Sequence, residues 1–161
     1  MLEGDGLRAS CFCGAVAFKL TAAPMFVHCC HCTDCQVQTG GAFAINAIIE
    51  AEHVRVTKGA PVAVTLPADS GRPHDVYKCA ECQTALWSDY GRRKVMLFVR
   101  VSTLKRPHNI VPDVHIFTRS KVPWVGLPDD VRQFEEYYST TKEWPADALA
   151  RRQAVLAKIK K

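Results

Sequence analysis

The cysteines constrain this chain more than any other feature. Seven of the eight fall into three short clusters: Cys11-Phe12-Cys13-Gly14, Cys30-His31-Cys32-Thr33-Asp34-Cys35 and Cys79-Ala80-Glu81-Cys82. Cys-x-Cys and Cys-x-x-Cys spacings put thiols too close in sequence for ordinary loop-closing disulfides, yet they suit one metal ion held by a tight turn. Four sulfurs close a tetrahedral zinc site, whereas three leave a position open for chemistry. Seven divides into four plus three, which implies two Zn²⁺ sites, one structural and one reactive.

Spacing also indicates how the clusters combine. Cys79 and Cys82 form a metal-holding turn, and Cys11 and Cys13 on an extended segment would face one side. Joined, the two pairs make a four-sulfur site spanning 65 intervening residues. A cross-link over so long a loop restricts the unfolded chain strongly, so metal binding there becomes folding free energy. Cys30, Cys32 and Cys35 lie within six residues and have no evident fourth partner. Cys29 reads as a small buried apolar residue, and His31 projects away from its cysteine neighbours. The competing arrangement is a second closed site completed by Cys29, His31 or the distant His115. Three thiolates on Zn²⁺ leave the site at net −1, a weak Lewis acid toward water but suited to holding an added thiol as thiolate. The expected substrate is therefore a thiol, or an adduct of a thiol with a carbonyl compound. A zinc deaminase needs His-x-Glu and Pro-Cys-x-x-Cys; this chain has no His-x-Glu, and Lys78 precedes Cys79.

At 161 residues the chain is about one domain long and buries a core without covalent staples. Its first six residues carry acids and no apolar run, so no secretory signal is expected and a reducing cytoplasm is the expected setting. The net charge of +5 is carried by Arg151, Arg152, Lys158, Lys160 and Lys161, in a segment without acids, and the rest of the chain is neutral. A phosphate-tracking surface needs clustered positive charge on the folded body, so no nucleic-acid partner is expected. The longest apolar stretch, residues 42–49, is interrupted by Asn46 and far short of the roughly 20 residues that span a bilayer, so no membrane association is expected either.

Most of the chain reads as short strands between turn residues, a mainly β fold. Residues 15–18 and 25–27 are brief apolar runs, residues 43–49 and 54–57 read as further short strands, and Val62, Val64 and Leu66 alternate with the period of a half-buried strand. Residues 67–73 form a loop; Val76-Tyr77 and Ala85-Leu86-Trp87 flank the last cysteine pair, and residues 95–101 are the strongest strand. Thr33 or Asp34 is expected to cap a helical turn ending at Gly40. Pro128-Asp129-Asp130 is expected to open a short helix through Tyr137, and residues 145–160 a last one with a basic end. The division expected is one zinc-binding β domain over residues 1–140 and a basic helical C-terminal extension over 141–161, read as a solvated, partly frayed tail.

These residues resemble the glutathione-dependent formaldehyde-activating enzymes (Gfa), a family that includes the centromere protein V relatives. The pattern Cys-x-Cys-Gly-x-Val-x-Phe is matched throughout by residues 11–18, and Cys-His-Cys-x-x-Cys by residues 30–35. Ser70-Gly71-Arg72, His115-Ile116-Phe117 and Pro123-Trp124 match further pieces, and the resemblance runs from about residue 10 to 138. It implies a β-tent of small antiparallel sheets stapled by zinc. Cys11, Cys13, Cys79 and Cys82 would hold the structural ion, and Cys30, Cys32 and Cys35 the catalytic one. The implied reaction joins formaldehyde to glutathione, giving S-hydroxymethylglutathione, and is classed as a carbon–sulfur lyase for its reverse. Arg72, Arg119 and Lys121 are then candidates for the carboxylates of glutathione, His115 for proton transfer, and Trp87 and Trp124 for core packing. Two positions depart from the pattern. Gln83 stands where glycine is usual, which costs about 1 kcal/mol if φ is positive there; Gln36 replaces a common basic residue, which bears on substrate binding. The alternative function is a zinc-stapled binding module without catalysis, which predicts two closed sites and a free basic tail. A third class, thiol-based metal storage or redox sensing, requires the middle cluster to release zinc on oxidation.

Overall fold

The computed structural model describes residues 6–67, 71–106 and 109–160. Residues 1–5 of the acidic start, residues 68–70 of the expected loop (with the Ser70 of its Ser-Gly-Arg piece) and Lys161 lie outside the described residues. The strands are β1 (Leu7–Ser10), β2 (Ala17–Leu20), β3 (Phe26–Cys30), β4 (Ala44–Glu50), β5 (Val54–Lys58) and β6 (Val62–Leu66), then β7 (His74–Lys78), β8 (Ala85–Tyr90), β9 (Met96–Arg100), β10 (Val114–Ile116) and β11 (Arg132–Gln133). The helices are α1 (Thr33–Thr39), α2 (Thr140–Glu143) and α3 (Ala146–Ala157). The fold is mainly β, as its short apolar runs predict.

The strands make two sheets, ordered β1-β2-β5 and β11-β10-β3-β4-β9-β8-β7-β6. The second is larger than small antiparallel sheets would be, and it is mixed, because β10 runs parallel to both β3 and β11. β4 and β9 occupy its middle with β3 beside β4, and every residue of β3 is buried. That follows from cover on both faces, which removes the apolar–polar alternation of a half-solvated strand. On one face the three-stranded sheet packs Val16, Phe18 and Leu20 against Trp87, Leu97 and Val99. On the other, Phe26, Ile48, Met96, Val114 and Ile116 pack against Tyr138, Trp144 and Ala148. Each fully buried side chain of this size stabilises the fold by about 1.5–3 kcal/mol.

Four expectations are corrected. β6 is an edge strand, and Val62 and Val64 are exposed, because among the described residues no strand pairs with its outer side. The helix expected from Pro128 is instead a turn leading into β11, whose pairing with β10 supplies hydrogen bonds that a short acidic segment lacks by itself. The C-terminal segment is docked rather than frayed: Trp144 stacks on Phe26 at 5.3 Å, and Arg151 grips the buried Glu50 through two bonds of 2.7 and 2.6 Å. Arg151 and Lys158 are thereby occupied by Glu50 and Glu52, which counts against the basic tail as a free contact surface. Trp87 is a core residue, as expected, whereas Trp124 is 78 % exposed on the loop between β10 and β11.

Candidate functional site

Two hydrogen-bonded turns build the first cluster. Gly14 N–H donates to Cys11 O at 3.2 Å, and Val16 N–H donates to the Cys11 sulfur at 3.2 Å. Residues 11–14 are therefore a turn, not the extended segment expected. Gly14, at φ +74°, permits it, since only glycine takes that backbone freely. The second turn is its counterpart: Gln83 N–H donates to Cys79 O at 3.1 Å and Cys79 N–H to Thr84 O at 3.0 Å. Gln83 has φ +58°, so the strain foreseen for a non-glycine residue is present. Its side chain donates to Ala80 O at 2.8 Å and offsets part of that cost. Phe12 N–H donates to Thr84 Oγ1 at 3.2 Å and ties one turn to the other.

Cys11, Cys13, Cys79 and Cys82 bring four sulfurs within 4.8 Å of one another. The Cys11–Cys13 and Cys13–Cys79 separations are 3.6 and 3.8 Å. Two sulfurs sharing a tetrahedral zinc at ~2.3 Å stand about 3.8 Å apart, so the donor set fits such an ion. Among the described residues all eight cysteines are free thiols.

Cys30, Cys32 and Cys35 form a second group on different principles. Cys30 ends the buried strand β3, and Cys32 is the N-cap of α1 in place of the expected Thr33 or Asp34. The Cys32 sulfur accepts from the Cys35 N–H at 3.4 Å and from the Cys30 thiol at 3.3 Å. Hydrogen bonds from Cys30 and Cys35 hold the Cys32 thiol far below the usual thiol range, while Cys30 is pushed up by the same sharing. The three sulfurs lie within 4.8 Å of one another, and among the described residues no fourth His, Cys, Asp or Glu joins them. Gln36 explains its own departure from the family pattern. Its amide donates to His31 O at 2.8 Å and Ser120 O at 2.9 Å, clamping the loop that carries the trio. Ser120 Oγ adds a third tie, donating to His31 O at 3.0 Å.

Cys29, His31 and His115 make a third buried group, which sequence reasoning did not assemble. The parallel register sets His115 beside Cys29, so both face away from Cys30. His115 therefore meets His31, at 2.9 Å between Nδ1 and Nε2, and not the trio. Two nitrogens bound to one zinc at ~2.05 Å would stand about 3.3 Å apart, so 2.9 Å is a hydrogen bond between imidazoles. Burial holds His31 down to about 4 and lowers His115 as well, which keeps the pair neutral and lets one ring donate to the other. Burial likewise pushes the Cys29 thiol up to about 12, so it stays protonated, in keeping with the apolar role expected of it.

The expected carboxylate receivers lie near the trio's loop or at the sheet's far end, each with a partner of its own. Arg119 pairs with Glu136 at 2.5 Å. Lys121 donates to the carbonyls of Val125 and Val122 at 2.6 and 3.2 Å. Arg72 packs its Cδ beside Gly91. The cation that sequence reasoning missed is Arg100 of β9, buried behind α1 and bonded to Asn46 Oδ1 and to Gln38 Oε1. The long apolar run of residues 95–101 concealed it, because a strand covered on both faces shows no polar alternation.

Among the described residues no helix is long and apolar enough to cross a membrane. A crystal structure of a Rhodobacter sphaeroides protein is similar at TM-score 0.49 and 21% identity, over 65% of this chain and 97% of that one. A Halomonas elongata protein named "Putative glutathione-dependent formaldehyde-activating enzyme" is 27% identical over 132 residues, covering 75% of this chain and 80% of the relative. The family model for the glutathione-dependent formaldehyde-activating enzymes matches residues 6–120, which take in all three cysteine clusters and the two turns and one helix cap that shape them, and the chain belongs to that family.

Proposed function

We propose that this protein is a zinc-dependent carbon–sulfur lyase acting on a thiol–aldehyde adduct, with glutathione and formaldehyde as its thiol and carbonyl partners. The observation that carries this reading is the group of three sulfurs at Cys30, Cys32 and Cys35, to which no fourth metal-ligating side chain among the described residues adds. A Zn²⁺ held by that group would keep an added thiol deprotonated while leaving it nucleophilic. In the synthetic direction the thiol sulfur bonds to the aldehyde carbon and the carbonyl π pair moves onto oxygen. The proton lost by the thiol ends on that oxygen, giving the hydroxymethyl thioether; the reverse reaction breaks the carbon–sulfur bond.

The chain's own residues then divide the work. Cys11, Cys13, Cys79 and Cys82 would hold a structural zinc that joins the N-terminal turn to the β7–β8 turn. Gln36 and Ser120 fix the His31 carbonyl, and with it the spacing of Cys30 and Cys32. His115, facing away from the trio, serves as a positioning residue that holds His31 in place instead of carrying the substrate proton. Arg72, Arg119 and Lys121 are proposed as outer contacts for a substrate carboxylate, which Arg119 would accept in exchange for Glu136. The reducing cytoplasm, where free thiols persist, is the setting this chemistry needs. The test is the rate of S-hydroxymethylglutathione formation with zinc-replete protein, followed by carbon NMR. An acceleration that disappears in Cys32→Ala is expected; zinc-replete wild type that neither speeds adduct formation nor binds glutathione would overturn the reading.

A further inference from the structure

Five buried side-chain atoms among the described residues have no hydrogen-bond partner: His28 Nδ1, His31 Nδ1, His74 Nε2, Ser88 Oγ and Arg100 Nε. Strand register assigns four of the five to one face. His28 and Cys30 share a side of β3; His28 pairs with Asn46, and Asn46 with Arg100. Ser88 pairs with Phe98, two residues from Arg100, and Val76 pairs with Ser88, two residues from His74. This is the face that carries Cys30 and that α1 covers with Cys35. His28, His74, Ser88 and Arg100 are only 4, 4, 0 and 3 % exposed. Buried polar groups are almost always satisfied, so four orphans on one face mark a place where water or a ligand completes them.

Arg100 decides which. Its guanidinium bonds go to two neutral amides, Asn46 Oδ1 and Gln38 Oε1, and among the described residues no carboxylate pairs with it. A guanidinium is charged at every accessible pH, and burying it beside neutral groups alone is costly. Its planar fork matches a carboxylate. Arg100 also lines a cavity of about 550 Å³, together with the polar Thr39 and Ser102 and the apolar Ile45 and Ile110. One buried cation suits a singly charged carboxylate better than a phosphate near −2. The rings of His28, Phe98, Tyr90 and His74 follow one another across the same face at centroid spacings of 5.9, 4.9 and 4.0 Å, so the orphaned ring nitrogens of the two histidines belong to one continuous packed layer.

We propose that Arg100 receives a carboxylate of the thiol substrate in a buried anion subsite beside Cys30, Cys32 and Cys35, with His28, His74 and Ser88 as its polar lining. The proposal rests on the reading that the trio handles a thiol, and it makes a carboxylate on that thiol a condition of tight binding.

Calorimetric titration of zinc-replete protein with glutathione and with glutathione diethyl ester tests it, with zinc-edge absorption as the independent readout of sulfur binding. Esterification is expected to weaken binding by about 10- to 100-fold in the wild type, the range for losing a charge-assisted hydrogen bond. In Arg100→Met, with folding checked by its melting transition, that ratio should fall by about fivefold or more, the remainder belonging to the outer contacts at Arg72, Arg119 and Lys121. Should Arg100→Met fail to fold, Arg100→Lys carries the test, since it keeps the charge without the fork and should shrink the ratio. Equal binding of acid and ester by the wild type overturns the subsite and leaves the thiol reading intact. An undiminished ratio in whichever Arg100 variant folds overturns the role of Arg100. A zinc edge that gains no sulfur from either thiol overturns the thiol reading itself and the subsite with it.

Discussion

The four-sulfur and three-sulfur groups use the same side chain to opposite ends. The first joins two turns 65 residues apart, each turn closed by its own backbone hydrogen bonds, and Cys13 reaches solvent. The second takes all its sulfurs from one six-residue stretch at the end of a buried strand, and distant segments brace it through Gln36 and Ser120. An ion in the first group closes a long loop, so its binding energy becomes folding energy. An ion in the second closes almost no loop, and packing on both sides of β3 already fixes that stretch. On the proposed reading, the number of chain segments a metal joins, more than the number of its ligands, would separate a staple from a reactive site.

The comparison breaks most visibly on substitution of one cysteine from each group. Cys79→Ala should unfold the domain, with loss of the cooperative melting transition, whereas Cys32→Ala should stay folded with its melting temperature within a few degrees of wild type. Circular dichroism with metal analysis reads both, and a folded, stable Cys79→Ala would erase the distinction. A smaller effect asks whether packing, not metal, holds the trio's side of the sheet. Arg151→Met should cost about 2–4 kcal/mol in denaturant unfolding, because Glu50 is then left buried without its partner. Burial alone would raise the Glu50 carboxyl, but the Arg151 guanidinium outweighs it and holds the group below the usual carboxylate range. The folded pKa is thus depressed, so the stabilisation is complete above the ordinary carboxylate pKa and is lost as pH falls through the folded value. The deficit of Arg151→Met should therefore shrink toward zero in acid; a pH-independent deficit would mean that the pair is not its source. The smallest effect belongs to the staple: Gln83→Gly should stabilise by up to about 1 kcal/mol by relieving the positive φ, less what its bond to Ala80 contributes. No change, or a loss, would show that bond to be the larger contribution.

Several elements of both groups were legible beforehand. The Cys-x-x-Cys turn, the helix ending at Gly40 and the strain of a non-glycine at Gln83 follow from local rules, because a turn is decided by the few residues within it, whereas residues 11–14 were expected to be extended and form a turn. Trp124, β6, β11 and the docked C-terminal helix were misjudged for a common reason. Whether an apolar side chain is covered, or an edge is paired, depends on which distant segment arrives there. Gln36 was read as a lost substrate contact and is a clamp, because its two acceptors lie 5 and 84 residues away.

Composition and spacing by themselves determined a mainly β chain with its cysteines in three tight clusters that suit metal-holding turns, since strand period and turn spacing are local quantities. Tertiary structure alone decided the faces. The parallel pairing of β10 with β3 turned His115 from the trio toward His31, and the ladder from β3 through β4 to β9 set Arg100 on the side of Cys30. A shift of one residue in either pairing would have reversed those assignments, and register is a property of assembled strands that no single strand contains.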